Sequence, residues 1–178
     1  MRTIIVRTTM LAAFALSLTL GFACTSKAAD DVSYSDSVKK ALTQSELTDV
    51  SVKEDRDKNT ITLGGTVHSE DAKAKAADVA KLSAGARIVV NEISVQPVGE
   101  ESEAKSIASN EDSAIEKNYK AGLIAHGLDK QDVDYAAKNG VLTLKGSVKT
   151  TSQREEAQKI ASAVPNVKQV LNQVDVKQ

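Results

Sequence analysis

The chain predicts an α+β fold built twice: two small units, each running α-β-β-α-β, with a three-stranded sheet and two helices packed on one face. Three observations predict it. The stretch TITLGGTV at 60–67 returns as VLTLKGSV at 141–148. Each copy leads into a capping residue and an alanine-rich amphipathic run, then into a β-branched run. A length of 178 residues holds two domains of the smaller kind.

Residues 1–23 have Arg2 and Arg7 ahead of an apolar run from Met10 to Ala23, the pattern of an export signal. That run is shorter than the roughly 20 residues a spanning helix needs. Cys24 is the single cysteine, so an internal disulfide is excluded. LGFAC at 20–24 resembles a bacterial lipobox, with Gly21 where such motifs prefer Leu, and this makes Cys24 a candidate lipid-attachment site. The alternative is cleavage after Ala28, which would discard Cys24 with the signal. Residues 24–35 are polar, acidic and aperiodic, and read as a tether.

The first unit covers 36–97. Val38, Ala41 and Leu42 fall at helical spacing; Val50 and Val52 alternate as a strand; the polar run KEDRDKNT then turns the chain into Ile61, Leu63 and Val67. Ser69 supplies an N-cap, and Ala72, Ala76, Val79 and Ala80 mark one face of a helix ending near Gly85. RIVVNEISV closes the unit as a strand. Residues 98–111, with four glutamates and one lysine, read as an acidic linker or as an extension of the next helix.

The second unit, 112–178, repeats this order. Its hairpin carries Asn139-Gly140, the strongest short turn signal, and Thr150 with Gln153 reads as a capping box. From Ile61 to Ile93 the residues find counterparts 81 positions later, whereas Val50 and Val133 are 83 apart, so the first hairpin is two residues longer. Gly65 and Gly146 share the parity of the apolar strand positions. They are expected to be structural glycines, either admitting the Ala76/Ala80 and Ala157/Ala161 helix faces or marking a bulge.

Helix, V-x-V, hairpin, L-x-G-x-V, alanine-rich helix and V-x-N-x-[IV]-x-V, twice over behind a signal, resembles the tandem BON domain of bacterial envelope proteins. The matching positions are Leu63, Gly65, Val67, Ala76, Ala80, Val89 and Asn91, then Leu144, Gly146, Val148, Ala157, Ala161, Val170 and Asn172. The chain departs at Gly85-Ala86 and Asn166-Val167, where the family often has Gly-Val. The resemblance implies a non-catalytic protein associated with phospholipid surfaces, envelope integrity and osmotic stress, with membrane phospholipid or envelope proteins as partners. Some members look like periplasmic chaperones, which makes a soluble periplasmic adaptor the alternative.

The residues themselves offer little chemistry. His68 and His126 are the only histidines and sit at unlike positions, too few for a metal site; no cofactor is expected. DRDKNT at 55–60 superficially matches a calcium loop, but Thr60 stands where the turn glycine belongs and Thr66 where the bidentate glutamate belongs. A net charge of −1, near −3 once Arg2 and Arg7 are removed, gives no footprint for nucleic acid. Lys117, Tyr119 and Lys120 form a possible membrane contact on a basic amphipathic helix. In the competing arrangement Ile115, Tyr119 and Leu123 face the sheet and the lysines are solvated.

Overall fold

The computed structural model describes residues 33–177. The first repeat comprises α1 (Tyr34–Gln44), β1 (Val50–Asp55), β2 (Thr60–Val67), α2 (Glu70–Ser83), β3 (Ile88–Asn91) and β4 (Ser94–Val95). The second comprises α3 (Glu101–Ala125), β5 (Asp132–Lys138), β6 (Val141–Val148), α4 (Thr151–Ser162), β7 (Gln169–Asn172) and β8 (Asp175–Val176). In each repeat the central strand pairs antiparallel with the strand before it and parallel with the strand after α2 or α4. The last strand comes in two pieces on one register, since β2 pairs β3 at 60–63 and β4 at 66–67.

Each repeat has its own core. Val38 and Leu42 from α1 and Ala76 and Ala80 from α2 cover Ile61, Leu63 and Val67 of β2. Tyr119, Leu123, Ala157 and Ala161 cover Leu142, Leu144 and Val148 in the same way. Burial of these aliphatic groups is the main stabilising term, worth about 1.5–3 kcal/mol for each fully buried Val, Leu or Ile. Small residues let the helices approach closely: a Cβ at Gly122 would press on Ile160 Cγ2 at 2.5 Å.

The local signals in the sequence act as their chemistry requires. Ser69 Oγ accepts from Ala72 N at 3.1 Å, and Thr150 with Gln153 forms a reciprocal capping box. Asn139 and Gly140 make a two-residue turn with φ of 50° and 83°, the sign the twist of a tight hairpin demands. The loop between β1 and β2 is two residues longer, as the spacing implied.

Three expectations are corrected. First, α1 begins at Tyr34, inside the stretch read as tether, because the Tyr34 ring lies on the Arg87 guanidinium at 4.1 Å and Arg87 pairs with Glu54 at 2.8 Å. Second, residues 101–111 are the first turns of α3 rather than a loose spacer. Their Glu, Ala, Lys and Ser residues are good or tolerable helix formers, and Glu101 and Glu103 suit the positive end of the helix dipole.

Third, Gly65 and Gly146 do not make room for a helix. Both have φ of 97°, and a Cβ there would overlap the carbonyl oxygen of Asp49 or Asp132, on the neighbouring strand side. Gly65 is exposed. The β1–β2 register runs from Asp55↔Thr60 to Val50↔Gly65 without an inserted residue, so this is no bulge in that ladder. Each glycine instead lies where the opposite ladder is interrupted, between β3 and β4 or between β7 and β8. The left-handed conformation, which L-residues rarely adopt, is the reason for glycine.

Candidate functional site

The interruption in each sheet is organised by an asparagine. Asn91 Nδ2 donates to the Lys73 carbonyl of α2 at 3.1 Å, while its Oδ1 accepts from Ile93 N at 3.3 Å. Asn172 repeats this with the Arg154 carbonyl at 3.3 Å and Val174 N at 3.1 Å. One side chain thus satisfies an N–H freed by the break and ties the strand to the covering helix. Sequence reading found these asparagines by position but not this role; their recurrence 81 residues apart was the available signal.

Side chains alternate along a strand, so the residues between the core positions point away from the helices. Those faces of the two sheets line one cleft of about 560 Å³. Its charged groups balance, Lys53, Lys138 and Lys145 against Asp55, Asp134 and Glu92, and the hydroxyls of Ser51, Thr62 and Thr143 line it too. Among the described residues, no histidine lines it. Such a surface can hydrogen-bond a ligand.

The cleft is closed on one side by a seam between the repeats. Val90, Val141 and Leu171 form a small apolar cluster. Gln169 Nε2 donates to the Val89 carbonyl at 2.9 Å and its Oε1 accepts from Asn91 N at 3.3 Å, so one side-chain amide stands in for a strand neighbour along the edge of β3. Asn139 Nδ2 donates to the Glu92 carbonyl at 2.8 Å, and Asp112 accepts from Asn139 N and Gly140 N at 2.8 and 3.0 Å. Lys73 is buried there, its Nζ donating to the Asn139 carbonyl at 3.4 Å. Burial lowers its pKa, and the nearby Lys168 charge adds to the effect.

The residues singled out by sequence are dispersed. Tyr119 is wholly buried, its hydroxyl donates to the Ala157 carbonyl at 3.3 Å and its ring meets Tyr135 edge-on, so it cannot touch a membrane. Burial also raises its pKa. Lys117 and Lys120 are exposed on the opposite side of α3. His68 Nδ1 contacts the Gln96 carbonyl and His126 Nδ1 the Glu156 carboxylate, each at 2.9 Å and in separate repeats. Among the described residues no group of three His, Cys, Asp or Glu side chains is placed to hold a metal ion. Cys24 lies outside the described residues.

Two α-β-β-α-β repeats joined by a seam define a tandem-repeat class of small α+β domain. A model of the BON domain matches residues 30–97 and again 111–178. The chain belongs to the BON-domain family, with two copies in tandem. Osmotically-inducible protein Y of Escherichia coli (strain K12) is 34% identical over 152 residues, covering 83% of this chain and 73% of that protein. An uncharacterized protein in the gshII 5′ region of Anaplasma centrale is 34% identical over 118 residues, 66% of this chain and 76% of its own. Among solved structures, the C-terminal domain of CdsD, a structural protein of the type III secretion system of Chlamydia trachomatis, overlaps at a TM-score of 0.33 and 16% identity, covering 78% of this chain and 62% of that one.

Proposed function

We propose that this protein works in the bacterial envelope as a non-catalytic module that associates with phospholipid surfaces and supports envelope integrity under osmotic stress. The observation that carries this reading is the pairing of two BON domains with 34% identity to a protein named for its osmotic induction. The exported location rests on the signal-like residues 1–23, with the periplasm or an outer-membrane anchor at Cys24 as destination.

A surface contact is supported by α3. Lys117 and Lys120 are exposed there, and Ile124, one turn further along the same face, is 56% exposed. Two cations beside an apolar side chain suit an anionic headgroup layer, where each lysine contributes about 1 kcal/mol near the surface. Flotation with vesicles tests this. The protein is expected to rise with phosphatidylglycerol vesicles and not with phosphatidylcholine ones, and the Lys117→Glu/Lys120→Glu variant to stay behind. Equal behaviour of the two proteins would remove α3 as the contact, and no flotation with either vesicle would remove the membrane reading of the folded part.

A further inference from the structure

We propose that the two repeats form a clamp whose seam loosens as ionic strength rises, widening the cleft between the sheet faces and uncovering the outer edge of β3. Three ion pairs cross the seam among the described residues: Lys138–Glu92 at 2.9 Å, Lys168–Glu70 at 3.6 Å and Lys58–Asp175 at 3.8 Å. In each, at least one partner is more than half exposed, with side-chain exposures of 63% for Lys138, 57% for Lys168 and 64% for Asp175. Exposed pairs are screened as the Debye length shrinks from about 30 Å at 0.01 M salt to about 3 Å at 1 M.

Besides these pairs, four hydrogen bonds involving Gln169, Asn139 and Lys73 cross the seam and must part when it opens. The buried apolar cluster across the seam is small, Val90, Val141 and Leu171, and each repeat has its own separate core. The connection between β4 and α3 contains Gly99 with φ of 88° and open space around it, and Val98, which is 77% exposed. An open, glycine-containing connection of this kind is suited to act as a hinge. The repulsion of Lys73 by Lys168 across the seam opposes the three attractive pairs and is also screened, but one such contact against three leaves attraction dominant.

Opening has a defined consequence. Gln169 leaves the Val89 carbonyl and the Asn91 N–H, two backbone groups on the outer edge of a short strand. An edge of this kind is a template for pairing with another extended chain.

Amide hydrogen exchange on the full chain tests the clamp, comparing low salt, 0.5 M NaCl and sucrose at the same osmolality. Protection of Asn91 N–H is expected to fall about five- to tenfold in NaCl and not in sucrose, while the core amides of β2 stay unchanged. The Glu70→Gln/Glu92→Gln/Asp175→Asn variant should be less protected at Asn91 in low salt and insensitive to NaCl. The single Glu92→Gln variant gives an intermediate slope, and the β2 amides report that both variants are folded. Salt-independent protection, an equal loss in sucrose, or an unchanged salt slope in the variants would overturn the proposal.

Discussion

Glu46 and Gly127 occupy the same backbone position 81 residues apart, with φ of 64° and 68°. Each ends the first helix of its repeat, and the following residue, Leu47 or Leu128, donates back to Leu42 or Leu123 at 2.9 Å. This is the Schellman closure, in which the residue after the cap takes a left-handed conformation. The spacing of 81 therefore holds in the first helix as well, and the 83 between Val50 and Val133 arises from a connection one residue longer and one extra residue, Asp132, at the start of β5, offset by a hairpin two residues shorter after it.

Repeat 2 has glycine at that position and repeat 1 has an exposed glutamate. Glu46→Gly should stabilise the protein by about 0.5–1 kcal/mol by removing the cost of a left-handed L-residue, and Gly127→Ala should destabilise it by a similar amount. Urea midpoints decide; a Glu46→Gly midpoint below that of the parent would contradict the cap assignment.

Gly65→Ala and Gly146→Ala should each cost about 1–3 kcal/mol, from a left-handed backbone and from the overlap of the new Cβ with the Asp49 or Asp132 carbonyl. Gly64→Ala is the control. Its new Cβ would meet only the Ser51 hydroxyl, and repeat 2 carries Lys145 at the equivalent place. Comparable losses at Gly64 and Gly65 would show that bulk, not backbone conformation, sets the requirement.

This glycine shows what the sequence could and could not convey. Its parity with Ile61, Leu63 and Val67 was readable, but parity assumes an extended backbone, and at Gly65 the backbone is not extended. Caps and turns were legible because Ser69, Thr150 and Asn139-Gly140 act on residues one to four positions away. The seam was illegible, since Lys73, Asn139 and Gln169 find partners across it 47 to 80 positions distant. Residues 101–111 lacked an apolar stripe because they extend beyond the core-packed part of α3, where Ile115, Tyr119 and Leu123 are buried.

Asn91→Ala should destabilise repeat 1 by about 1–3 kcal/mol, by stranding the Ile93 N–H and cutting the tie from the strand to α2 at Lys73. Asn172→Ala should do the same to repeat 2. Asn91→Asp retains the acceptor but loses the donor, so its midpoint should fall between parent and Ala variant. An Asp variant as stable as the parent would limit the role to the local turn.

Lys73 sets a pH dependence with a definite sign. Its pKa is lowered in the folded protein, chiefly by burial, so the unfolded chain binds the proton more tightly. Stability should be lower while Lys73 is charged in both states, and should rise with pH between its folded pKa and the ordinary value of 10.5. Lys73→Met should flatten that rise and raise the midpoint at neutral pH. Thermal melts at stepped alkaline pH measure it; an unchanged pH slope in the Met variant would show that Lys73 is not the group responsible.

Attachment to a membrane surface is tested most directly by the intact mass and membrane partition of the native chain from its own host. The lipobox-like LGFAC and the polar stretch after it lead to one expectation: a mature protein beginning at a diacylglyceryl-modified Cys24, recovered with the membrane fraction. Buried acyl chains would hold it there at about 0.8 kcal/mol per CH₂, far more than Lys117 and Lys120 supply. Were Cys24 acylated in an organism with an outer membrane, Thr25 rather than an aspartate at the second position would favour that membrane as the destination. An unmodified chain beginning at Ala29 and recovered in the soluble fraction would contradict the account.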